Sequence, residues 1–165
     1  MLCYIRLALS AAALALFGGA ALAQQAEDET LTVIHAGQLM AAPGEERVRE
    51  AVSILVRGDR IESIEEGYLT PEDAEIVDLS GAFVMPGFID AHVHILTEIG
   101  PGSRLRPFTH SSADLALDGA LNARRTLEAG FTTLQDVGAD MEGVRALRDA
   151  IAAGDLTGPR LRIAG

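Results

Sequence analysis

The chain has 165 residues and a formal net charge of −11, and all thirteen of its basic residues are arginine. So negative a balance argues against nucleic acid or an anionic membrane surface as a partner. The length allows about one domain.

Residues 1–23 read as a secretory signal peptide. Arg6 supplies the positive start, Leu7 to Leu22 is an apolar run, and Ala21-Leu22-Ala23 fits a small-x-small cleavage site before Gln24. A membrane anchor is the competing reading, because the run is only slightly short of about 20 residues. Cleavage would leave an exported, periplasmic or secreted chain with no stable anchor. It would also remove Cys3, the single cysteine, so packing, with or without a metal, would have to hold the fold without a disulfide.

Residues 24–30 form an acidic leader. Leu31-Thr32-Val33-Ile34-His35 begins a first strand, with His35 at its edge. Val52, Ile54 and Val56 alternate with Ser53, Leu55 and Arg57, and Gly58-Asp59 separates them from Arg60 to Ile64, the spacing of a tight β-hairpin. Ile76 to Leu79 reads as another strand, and Ser80-Gly81 as a turn into Ala82 to Met85. Residues 31–85 are therefore expected to form a small antiparallel β unit.

The segment Val84-Met85-Pro86-Gly87-Phe88-Ile89-Asp90-Ala91-His92-Val93-His94-Ile95 is of another kind. Side chains alternate across a strand, so His92 and His94 project to one side with α-carbons roughly 7 Å apart. Imidazoles at that spacing can converge on one ion with bonds of about 2 Å. Asp90 shares their parity and could orient an imidazole through its other ring nitrogen. The competing reading is two satisfied histidines on a buried strand, but two imidazoles facing one way without a partner would be costly there.

Leu96 to His110 is a loop containing Gly100-Pro101-Gly102 and Pro107. Ser111 to Ala129 reads as a helix: Ser111 with Asp114 matches a capping box, Ala113, Leu117, Ala120 and Leu127 fall on one face, and Gly130 suits the C′ position. Phe131 to Val137 is a short apolar strand of the kind a parallel sheet buries on both faces. Asp140 can cap a second helix bearing Val144, Leu147 and Ile151, Gly154 closes it, and Arg160 to Ala164 forms a third strand.

Pro86-Gly87-Phe88-Ile89-Asp90-Ala91-His92-Val93-His94 resembles the first-strand signature of the metal-dependent amidohydrolase superfamily. Gly130 to Gly138, followed by Gly158-Pro159-Arg160-Leu161, is similar to its imidazolonepropionase-like and Xaa-Pro dipeptidase-like branch. The resemblance implies an α/β fold. Residues 86–165 would be the first three strands or so of a (β/α)8 TIM barrel, which alone takes about 250 residues. Residues 31–85 would be part of an accessory β-sandwich. The loop 96–110 would then follow the carboxyl end of a barrel strand, where such folds place their active sites. That makes Arg104, Arg106 and His110 candidates for substrate contact, with a solvated loop as the competing reading. Asp136 would end its strand on the histidines' face and could bond substrate or a ligand.

The resemblance further implies hydrolysis of an amide, cyclic amide or dipeptide bond by water activated on one or two divalent ions, zinc foremost, with His92 and His94 among the ligands. The family's remaining groups are a bridging lysine, histidines from two later strands and a late aspartate acting as general base. They have no counterpart here, and the absence of lysine is direct. The expectation is the N-terminal portion of a longer enzyme, inactive alone and weak in metal binding. A secreted, non-catalytic β-rich module with a structural or adventitious histidine pair is the alternative. It leaves the alternation of strands and helices after residue 86 unexplained.

Overall fold

The computed structural model describes residues 30–164 except 43, 45 and 46. The expected signal peptide and all of the leader but Thr30 lie outside the described residues. Among those described, no helix is long and apolar enough to cross a membrane. The chain divides into two compact units, Met1–Pro86 and Gly87–Gly165.

In the first unit, β1 (Leu31–Leu39), β2 (Arg49–Arg57), β3 (Arg60–Glu66) and β4 (Glu75–Val84) form one sheet in the order β3-β2-β1-β4. Antiparallel pairing was expected throughout, and it holds for β1 with β2 and for β2 with β3. β4 runs parallel to β1, because residues 67–74 carry the chain from β3 past the sheet to the far side of β1. The β2–β3 hairpin closes at Arg57↔Arg60, with Gly58 at a φ of 56° that only glycine adopts without strain.

Ser80-Gly81 does not end a strand as expected. β4 runs through it as a bulge, with Ala36 opposite Leu79 and Gln38 opposite Phe83. Gly37 makes room for it, since a Cβ there would run into the Ser80 carbonyl. Nor is His35 an edge residue. β1 is interior to the sheet, and His35 is buried with Nε2 2.8 Å from the Leu69 carbonyl and its ring 5.0 Å from that of Tyr68. Ser53, fully buried, donates to the Gly67 carbonyl and accepts from the Leu69 N–H, so the two side chains strap residues 67–69 to the sheet. Ala36, Leu39, Val52 and Ile54 make this unit's core.

In the second unit, β5 (Phe88–Val93), β6 (Phe131–Asp136) and β7 (Arg160–Ile163) form a parallel sheet in that order. A short helix α1 (Arg106–Thr109) precedes α2 (Ser112–Glu128), which joins β5 to β6; α3 (Met141–Ala153) joins β6 to β7. Ser111 caps α2 through the full capping box with Asp114, and Asp140 caps α3 by accepting from the Gly143 N–H. Both helices pack on the sheet over Ile95, Leu96, Leu115, Ala123, Leu134, Val144, Leu147 and Leu161.

The buried stripe of α2 is Leu115, Gly119 and Ala123; Leu117, expected inside, is 69% exposed. Close approach decides this. A Cβ on Gly119 would come within 2.5 Å of a Leu96 methyl and 2.8 Å of a Leu147 methyl, so the helix presents its small residues where the packing is tightest.

Candidate metal centre

β5 is built to deliver two histidines at its carboxyl end. Gly87 starts it where a Cβ would strike the Thr132 side chain on β6. Further on, Asp90 stands opposite Leu134 and Val93 opposite Asp136, so β5 spends three residues where β6 spends two. Such a bulge re-aims side chains, a common device beside active sites. Beyond the strand, Ile95 and Leu96 are buried, and Asn122 of α2 donates to the Ile95 carbonyl. The anchored Ile95 and Leu96 hold His94 just past the end of β5.

The rings of His92 and His94 come together, with centroids 5.6 Å apart and planes at 80°. Two imidazoles on one tetrahedral ion, with nitrogen–metal bonds of about 2.0–2.1 Å, have centroids about 5 Å apart. Both residues are exposed. Nδ1 of His94 lies 2.6 Å from the Gly138 carbonyl oxygen, which can only accept, so Nδ1 carries a proton and, in a neutral ring, Nε2 is the nitrogen with the lone pair. No described residue hydrogen-bonds the His92 ring. The pair therefore fits a divalent ion in ring separation and, for His94, in tautomer. Among the described residues no third His, Cys, Asp or Glu joins them.

The acidic candidates stand elsewhere than expected. The Asp90 carboxylate takes the backbone N–H of His92 at 3.0 Å rather than a ring nitrogen, and the bulge breaks its simple parity with the histidines. Asp136 is not on the histidines' side. It follows the row of buried Leu134, is 1% exposed, and accepts the backbone N–H groups of Ile95 at 2.7 Å and Gly138 at 2.9 Å.

Of the loop candidates, His110 borders a cavity of about 380 Å³ together with His94, Thr97, Ser112, Leu115 and Asp140. Its Nδ1 is 2.9 Å from the Thr109 hydroxyl. Arg106 is engaged with Asp118 at 2.6 Å, tying α1 to α2, which removes it from the set of free substrate contacts. Arg104 is exposed. Sequence reasoning missed Gly138, Thr97 and Asp140. A backbone carbonyl leaves no residue-type signal, and only the closeness of Gly138 to Asp136 pointed that way.

A family model described as the amidohydrolase family matches residues 83–165. The chain belongs to the amidohydrolase family. Within it, the chain is similar to the dihydroorotase of Aquifex aeolicus (strain VF5), at 38% identity over 81 residues, 49% of this chain and 16% of that protein. It is also similar to the imidazolonepropionase of Arthrobacter sp. (strain FB24), at 28% identity over 64 residues, 39% of this chain and 16% of that one. Among solved structures, a Xaa-Pro dipeptidase with methionine bound in its active site has a similar fold, with a TM-score of 0.74 at 34% identity over 82% of this chain and 33% of that chain. The expected family and branch agree with these matches. The chain spans only a small part of the length of each.

Proposed function

We propose that these residues form the opening part of an exported, metal-dependent hydrolase of carbon–nitrogen bonds, in which His92 and His94 hold a divalent cation. The observation that carries the reading is the histidine pair itself: adjoining rings at the end of a parallel strand, one with its Nδ1 proton committed to the Gly138 carbonyl. Family membership supports the reaction class, and β5 to β7 with their helices are read as the first three strands of a (β/α)8 barrel. The substrate would be a small amide, cyclic amide or dipeptide. Export rests on the first 23 residues.

A divalent ion there, zinc foremost, would supply Lewis acidity, polarising a substrate carbonyl and acidifying water. What the chain's own residues contribute is grip and orientation. Ile95 and Leu96 anchor the strand end, and Gly138 fixes the His94 ring. The cavity beside His94 offers Thr97, Ser112 and His110 to a substrate's polar groups.

Catalytic zinc sites usually have three protein ligands. With two among the described residues, the 165-residue chain should bind Zn²⁺ weakly and hydrolyse nothing detectable. Equilibrium dialysis with Zn²⁺ tests the reading: the wild-type chain should take up one ion, and His92→Ala and His94→Ala should each abolish uptake. Equal uptake by the double variant would sink it.

A further inference from the structure

We propose that Asp136 is the positioning residue of this centre, acting on His94 through Gly138. The inference rests on the reading that His94 is a ligand, and it assigns a residue that touches neither the ion nor the other histidine.

The Asp136 carboxylate sits between the two chain segments that determine where His94 points. One oxygen accepts the N–H of Ile95, the residue directly after His94, at 2.7 Å. The other accepts the N–H of Gly138 at 2.9 Å, and the carbonyl of that same glycine receives the His94 Nδ1 proton at 2.6 Å. One buried group thus fixes both the backbone that carries the imidazole and the acceptor that sets its tautomer. Asp136 is 1% exposed, and among the described residues no arginine pairs with it. Each of its oxygens is met by one backbone N–H group, so the buried carboxyl ties those two segments together where they stand.

Asparagine cannot replace it. Its amide has one acceptor oxygen, so the NH₂ would face one of the two N–H donors. Alanine would leave both donors unsatisfied in a buried place.

The test uses ¹⁵N NMR of the metal-free chain at about pH 8, where ordinary imidazoles are neutral, with Zn²⁺ affinity measured alongside. Wild type should show His94 as the Nδ1–H tautomer. In D136N and D136A, with far-ultraviolet circular dichroism unchanged, His94 should shift toward a mixture of tautomers while His92 stays as it was. Zn²⁺ affinity should fall about 10–100-fold, the usual effect of losing a group that orients a ligand. A general loosening of the fold would move both histidines.

Folded variants with an unchanged His94 tautomer and unchanged affinity would overturn the proposal. So would a wild-type His94 in the Nε2–H form, which can be read even if neither variant folds. If wild type holds the Nδ1–H tautomer and loses it in the variants but takes up no Zn²⁺, the metal reading fails and the positioning role stands.

Discussion

At the scale of single residues, the informative side chains are those whose polar atoms are already committed. Asp114 accepts from both the hydroxyl and the N–H of Ser111, and these bonds, with a smaller pull from His110, hold its carboxyl below the usual carboxylate range. A pKa lowered in the folded state stabilises the fold above the unfolded value of about 3.9, and this contribution is lost as pH falls through the folded value. Ser111→Ala removes the hydroxyl's share. Urea unfolding at a series of pH values should find wild type more stable than Ser111→Ala at about pH 5, with the part owed to Asp114 shrinking as pH falls below about 3.9. A difference constant down to about pH 2 would mean that the carboxylate contributes nothing and the hydroxyl caps the helix alone. Ser111 and Asp114 were legible in the sequence because capping is local. The Ile95 partner of Asp136 was not, since it is a backbone N–H 41 residues away that meets the carboxylate only when β5 and β6 pair; the Gly138 N–H is local but leaves no residue-type signal.

At the scale of elements, periodicity located both long helices and their caps but chose the wrong face for α2. The alternation of large apolar residues favoured Leu117, whereas the packed face is the one whose small residues let Leu96 and Leu147 approach. Paired substitutions make the distinction measurable. Leu115→Ala should cost roughly 2–5 kcal/mol in chemical unfolding, the range for a buried leucine, and Leu117→Ala should stay within about 0.5 kcal/mol. Equal costs would return the helix to the face its sequence suggested. The same kind of error affected β4, where Ser80-Gly81 is turn chemistry in isolation. Paired with β1, it becomes a bulge seated on Gly37, a contact between residues 43 positions apart that no local pattern announces. His35 follows the same logic: a strand's place in its sheet depends on which later strand joins it, and β4 joins β1 on the side opposite β2.

At the scale of the molecule, the histidine motif and the order of strands and helices were legible because each is written in consecutive residues. What covers the remaining surfaces is not. In the second unit β5 and β7 are the sheet's edges, and β5 carries Phe88 at 49% and Ile89 at 72% exposure. Ile99, Leu105 and Phe108, between β5 and α2, are also exposed. An edge strand offers unpaired N–H and C=O groups, and apolar side chains along it make pairing with another chain favourable. The 165-residue chain should therefore associate as its concentration rises and bind a hydrophobic dye. Ile89→Lys places a charge on that edge without touching either histidine, and it should reduce both effects while leaving Zn²⁺ uptake unchanged. Sedimentation velocity over a concentration series decides the matter. A wild-type chain that stays monomeric and takes up no dye would mean that this edge is already satisfied, and the reading of β5 as a barrel strand awaiting a neighbour would lose its physical basis.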